Sequence, residues 1–247
     1  MTHNLYISKL LESKDRVTID IVGDSITWGL NHCSEDETYS AYFAGLLAEK
    51  YSYVSVYRYD GITHDELKSM KRFSEPIQVS KEVNCRKRID VIKNGIGGNT
   101  VRRAINRLND FSGTLANGET ADVTFFMFGI NDALKSDESK YVVPEKFYND
   151  YKELLKKFRA TEKSQIVIMS PTTNDQTIDE YVKTAKKVAV ENNLLYIDQN
   201  KLWNEHFDKD KPNFGHGDWL SDTPGDACHP TPIGAKAIAK EMMRYVL

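Results

Sequence analysis

Five short runs rich in β-branched and aromatic residues punctuate this chain: VTIDIV (Val17 to Val22), RIDVIK (Arg88 to Lys93), DVTFFMF (Asp122 to Phe128), QIVIMS (Gln165 to Ser170) and LLYID (Leu194 to Asp198). Each is as long as a strand and too short for an ordinary helix. Around them, Tyr39 to Lys50, Val101 to Asp110, Pro144 to Arg159, Ile178 to Asn192 and Pro232 to Tyr245 place apolar residues three and four apart, the period of a helix with one buried face. Pro144 and Pro232 suit a first helical turn, where a missing N–H leaves no bond unmade. Strand alternating with helix brings strands back in parallel, and near-continuous apolar strands imply a sheet covered on both faces.

Two stretches break the rhythm. Tyr51 to Lys87 opens with a strand-like YVSVYRY and continues as a polar stretch of weak periodicity, so it reads as an insertion at about 51–87. Trp203 to Thr231 is long and rich in Gly, Asp, His and Pro; irregular segments of that length in a compact domain are more often functional than idle. The 247 residues otherwise suffice for one sizeable core, and a single domain spanning 1–247 is expected.

Composition narrows the partners. With 33 basic and 36 acidic residues, the net charge of −3 supplies no cationic field for nucleic acid or an anionic membrane. No run approaches the roughly 18 apolar residues of a membrane span, and the first residues lack a signal peptide's apolar block, so a cytoplasmic location is expected. Cys33, Cys85 and Cys228 are widely spaced and read as free thiols.

In open parallel sheets, ligands bind beyond the carboxyl ends of the strands. There the chain places GDSIT after the first run, NGIGGNT after the second and GIND after the third, with DACHPT before the last helix. Singly, each is ordinary turn chemistry. GIGGNT is no dinucleotide loop, because Thr100 stands where a third glycine is needed, and it lacks the lysine of a phosphate loop. Jointly the four run in the order Ser, Gly, Asn, Asp-x-x-His. From about Val17 to Tyr245 this resembles the SGNH family, also called the GDSL esterases and lipases. The fold class expected is therefore a three-layer α/β/α sandwich, flavodoxin-like, with about five parallel strands. The resemblance implies Ser25 as nucleophile, His229 as base and Asp226 as its orienter, with Gly98, Asn131 and the Ser25 backbone N–H as oxyanion donors. Many relatives have Asp after the glycine of the second block where this chain has Asn99, and the family's earlier Asn aligns with Asn94 or Lys93.

The residue types suit that chemistry. Serine becomes a useful nucleophile when a base takes its proton, and histidine, with an unperturbed pKa of ~6.5, is suited to the task. A carboxylate three residues before His229 is close enough to fix the ring's tautomer. Activity should then rise through one ionisation near neutrality. The chain order Ser, Asp, His is shared with α/β-hydrolases, but GDSIT lacks the second glycine of their G-x-S-x-G elbow. Asp24 and Asp132 are expected to brace loops, and Trp28, Trp203, Phe214 and Trp219 to line a subsite or anchor loops. His3, His32, His64, His206 and His216 lack ligand spacing, and only His216 with Asp218 hints at a metal, so no metal and no cofactor are expected. The reading is a serine esterase acting through an acyl-enzyme on a small ester, with an acetylated carbohydrate favoured because the Trp203 to Trp219 loop lacks the apolar stretch a long acyl chain needs. A lysophospholipase, thioesterase or acyltransferase would use the same residues. A non-catalytic carbohydrate-binding protein would be expected to have lost one of them.

Overall fold

The computed structural model describes residues 4–29, 33–64, 69–81, 86–172, 176–206, 219–221, 226 and 228–247, with residues 62–64 and 69–72 described by backbone alone. Its strands are β1 (Arg16–Gly23), β2 (Ser55–His64), β3 (Ser69–Phe73), β4 (Ile77–Gln78), β5 (Arg88–Gly95), β6 (Val123–Met127), β7 (Gln165–Met169) and β8 (Leu195–Ile197). Its helices are α1 (Ile7–Ser13), α2 (Ser25–Trp28), α3 (Tyr39–Lys50), α4 (Val101–Asn106), α5 (Pro144–Thr161), α6 (Asp179–Glu191), α7 (Gln199–His206) and α8 (Pro232–Met243).

The five expected runs lie side by side and parallel in the order β5-β1-β6-β7-β8, with β8 at one edge of the sheet. Counted among themselves this is the 2-1-3-4-5 order of a flavodoxin-like sheet, whose topological switch lies beside β1. The expected insertion is in part something else. Its first half is β2, a sixth parallel strand paired with β5 from Ser55 opposite Arg88 to Asp60 opposite Lys93. Only β3 and β4 run antiparallel, both pairing with β2. The apolar signal of β2 is diluted because Arg58 and Asp60 are buried as an ion pair 3.1 Å apart, with Lys93 3.8 Å from Asp60.

Alternation along the strands sorts side chains into two layers. Val17, Ile19 and Ile21 of β1, with Phe125 and Met127 of β6, pack against α1, α3, α7 and α8. Val22, Phe126 and Phe128 face the other way, against α4, α5 and α6. Every side chain of β6 is at most 1% exposed, and burying one such apolar side chain contributes about 1.5–3 kcal/mol. This double cover fixes the sheet and hence the loops at its carboxyl edge. Among the described residues, no helix is long and apolar enough to cross a membrane.

Candidate active site

Ser25 is the first residue of α2, a single helical turn that starts where β1 stops. Asp24 caps it, its Oδ1 accepting the N–H of Ile26 at 3.0 Å, and Gly29, at φ +86°, closes it in the left-handed region. The turn is pressed onto the end of β5: a Cβ on Gly95 would lie 2.3 Å from the Trp28 nitrogen. Thr27 Oγ1 and Tyr39 OH share a buried hydrogen bond of 2.8 Å that ties α2 to α3.

His229 comes from the other end of the chain. Leu220 and Pro230 form an antiparallel bridge, with the Ser221 N–H donating to the His229 carbonyl (3.1 Å) and the Thr231 N–H to the Trp219 carbonyl (2.9 Å). Thr231 then caps α8 by accepting the N–H of Gly234, and Pro232 occupies the first turn. Anchored this way, His229 Nε2 lies 2.8 Å from Ser25 Oγ. Its Nδ1 lies 2.9 and 2.8 Å from the two carboxylate oxygens of Asp226. A carboxylate at Nδ1 places the ring proton there and turns the Nε2 lone pair to the hydroxyl. Partial burial pushes the Asp226 carboxyl up, but the N–H groups of His229 and Cys228 and the facing imidazole outweigh it and hold the pKa at about 2.

Gly98 and Asn131 stand at the ends of β5 and β6. Gly98 has φ +67°, a conformation that favours glycine, and a Cβ there would come within 3.2 Å of Lys140 Cε. Asn131 is 8% exposed, and its amide nitrogen has no hydrogen-bond acceptor, although it lies beside the Asp24 carboxyl. A buried donor without an acceptor costs about 1–3 kcal/mol. A preorganised donor aimed at charge that develops only during reaction is one setting in which folds carry that cost.

Asp24 and Asp132 do brace loops, the Val101 N–H donating to Asp132 Oδ1 at 3.2 Å. Burial raises Asp24 to about 7 and Asp132 to about 8. At pH 7 Asp132 is therefore mostly protonated and Asp24 about half protonated, which reduces the negative charge beside Ser25 and Asn131. Both pKa values lie above that of an unfolded aspartate, so this contribution to stability is fully present below the unfolded value of about 4, is lost progressively as pH rises and is gone once pH has passed through about 7 to 8. Melting temperature should therefore fall between about pH 4 and pH 8, and Asp132→Asn should flatten that decline; an equal slope in the variant would contradict it.

Sequence reasoning missed Arg107, whose signal is spatial: it caps the C-terminus of α4 and reaches back to Gly23, Asn94 and Asn99. Its buried guanidinium donates to the Asn94 side chain (2.8 Å), the Asn94 carbonyl (3.1 Å) and the Gly23 carbonyl (3.3 Å). With its amide oxygen turned to the guanidinium, Asn99 accepts from Nε at 2.9 Å and Nη2 at 3.0 Å. Burial lowers Arg107 to about 10, opposed by the Asp110 and Asp20 carboxylates, so it stays charged at neutral pH. Of the two neighbouring positions, Asn94 bonds Arg107, whereas Lys93 is directed to Glu35 and the Trp28 carbonyl.

Asp226, Cys228 and His229 carry donor atoms within 4.8 Å of one another, a grouping that could hold a metal ion. Two of the three are already bonded to each other, and burial pushes the Cys228 thiol well above its usual pKa, away from the thiolate a metal prefers. Of the aromatic residues expected to line a subsite or anchor loops, Trp203 is fully buried in the core, in keeping with the anchoring alternative. Trp28 is half-buried against Gly97, and Trp219 packs between Trp203 and His206. Phe214, His216 and Asp218 lie outside the described residues, as do His3, His32 and Cys85.

A model of the GDSL-like lipase/acylhydrolase family matches residues 72–237. An acetylxylan esterase of Geobacillus stearothermophilus is 26% identical over 170 residues, covering 64% of this chain and 72% of that protein. Among solved structures, the acetyl xylan esterase AlAXEase matches with a TM-score of 0.66 at 20% identity, covering 94% of this chain and 100% of its own. A two-domain esterase active on acetylated mannans matches with a TM-score of 0.61 at 15% identity, over 98% of this chain and 54% of its own. At these identities the two structural likenesses concern the fold.

Proposed function

Because the chain belongs to the GDSL-like lipase/acylhydrolase family, and with it to the carboxylic ester hydrolases, we propose that it is a serine esterase that removes acetyl groups from a carbohydrate through an acyl-enzyme. The observation that carries the mechanism is the 2.8 Å contact between Ser25 Oγ and His229 Nε2, with Asp226 on the far side of the ring. His229 takes the hydroxyl proton as Oγ attacks the ester carbonyl, and Asp226 steadies the imidazolium. The carbonyl oxygen gains negative charge opposite the N–H groups of Ser25 and Gly98 and the amide of Asn131. The C–O bond to the alcohol then breaks, and the alcohol leaves with the proton from His229. Water, deprotonated by the same ring, releases acetate and restores Ser25.

Acetylated carbohydrate as the substrate rests on the acetylxylan and acetylated-mannan esterases to which the chain is similar. The test is a panel of acetyl, butyryl and longer p-nitrophenyl esters beside acetylated xylan and mannan, with released acetate measured. The proposal expects turnover to fall steeply beyond short acyl chains and acetate to be released from a polysaccharide. Preference for long acyl chains with no acetate release from either polysaccharide would overturn it.

A further inference from the structure

The two oxyanion donors on separate loops are Gly98 and Asn131, and both loops meet at Arg103. Arg103 is the third residue of α4, oriented by Thr100, whose Oγ1 accepts the Arg103 N–H at 3.2 Å. Its guanidinium donates to the Gly98 carbonyl at 2.8 Å and, more weakly, to Ser139 Oγ at 3.4 Å. Ser139 lies in the turn that begins at Asn131 and is held by bonds from the Leu134 N–H to the Asn131 carbonyl (3.2 Å) and from the Lys140 N–H to the Asp137 carbonyl (2.9 Å). Asp137 organises the tip of that turn. Its Oδ1 accepts the hydroxyl of Ser139 at 2.6 Å and the Ser139 N–H at 3.1 Å, and its Oδ2 pairs with Lys140 Nζ at 2.8 Å. Lys140 and Ser139 together hold the Asp137 carboxyl at about 2, so this arrangement persists through the working pH range. The stem of Lys140 returns over Gly98, its Cε 3.2 Å from where a Cβ would stand.

Gly98 is thus gripped from two sides, by a guanidinium on its carbonyl and by a lysine stem over its α-carbon. Both grips are tied to the turn that supplies Asn131. A glycine at φ +67° has the widest backbone freedom of any residue, and an oxyanion donor is effective only if its direction is set before reaction. We propose that Arg103 is a positioning residue: through the Gly98 carbonyl and Ser139 it fixes the Gly98 N–H relative to the Asn131 amide. This rests on the esterase reading above. Arg103 touches neither nucleophile nor base, and both of its guanidinium bonds go to neutral oxygens.

The test is steady-state kinetics of Arg103→Met and Arg103→Lys on p-nitrophenyl acetate, with the affinity of phenylboronic acid, whose tetrahedral adduct presents an anionic oxygen to the same donors, and the melting temperature. Misplacement of one donor by about 1 Å predicts a kcat loss of up to about 10²-fold in Arg103→Met, with KM nearly unchanged and boronate affinity weakened in step. Arg103→Lys, which keeps the charge but loses the fork, should fall between the two. Wild-type kcat in Arg103→Met, or a lower kcat with unchanged boronate affinity, would overturn the proposal. If Arg103→Met melts early, the comparison passes to Arg103→Lys, where the same pairing of kcat with boronate affinity decides. Full activity in Ser25→Ala would instead bring down the esterase reading; an inactive Ser25→Ala beside an unimpaired Arg103→Met brings down only the role of Arg103.

Discussion

Ser25→Ala is expected to lower kcat on p-nitrophenyl acetate by about 10⁴- to 10⁶-fold while leaving the melting temperature almost unchanged. The loss is large because, in the proposed mechanism, the hydroxyl forms the covalent bond, and it is this hydroxyl that faces the imidazole nitrogen at 2.8 Å. The fold should tolerate the change. Alanine favours helix more than serine does, and the capping bond that starts α2 comes from Asp24, not from Ser25. The small rate that remains would reflect donors and binding acting on a water attack. Turnover at the wild-type level would show that the nucleophile lies elsewhere.

A second large effect is expected for Asn131→Ala, with kcat reduced by about 10² to 10³, equivalent to about 2.7–4 kcal/mol of transition-state stabilisation. KM should stay within about threefold, because the amide meets full charge only in the transition state. Stability should hold or rise slightly. The Asn131 amide nitrogen is buried with no acceptor at good hydrogen-bond geometry and has only a weak interaction with the Asp24 carboxyl, so removing it relieves a desolvation cost at little loss. A rise in KM at constant kcat would assign Asn131 to ground-state binding, and marked destabilisation would assign it to the scaffold.

Much of the sheet was legible because its middle strands are buried on both faces and read as continuous apolar runs. Helix α3 begins and ends where the periodicity of Tyr39 to Lys50 does. The start of β2, in YVSVYRY, reads as a strand but is grouped with an insertion because the polar stretch after it has weak periodicity; that Arg58 and Asp60 are buried against Lys93 is a matter of pairing with β5, which the sequence does not display. The end of helix α7, Trp203 to His206, falls within the expected loop, and the helix as a whole, QNKLWNEH, carries little helical signal because it buries two amides with its one tryptophan. The turns carrying Ser25, Gly98 and Asn131 stand out in the sequence as local patterns after apolar runs, and Asp226 to His229 stands out as one just before the last helix. Arg103, Arg107 and Lys140 were not. Their importance depends on which way α4 faces and where the turn after β6 lands, and no spacing along the chain encodes that.

The proposed covalent chemistry is tested most directly by labelling the enzyme with a fluorophosphonate and mapping the modified peptide by mass spectrometry. The adduct is expected on Ser25 in stoichiometric yield with complete loss of activity, and the labelling rate of His229→Ala should be reduced by several orders of magnitude because the base at 2.8 Å is gone. An adduct on any other residue, or inactivation that proceeds as fast without His229, would contradict the account.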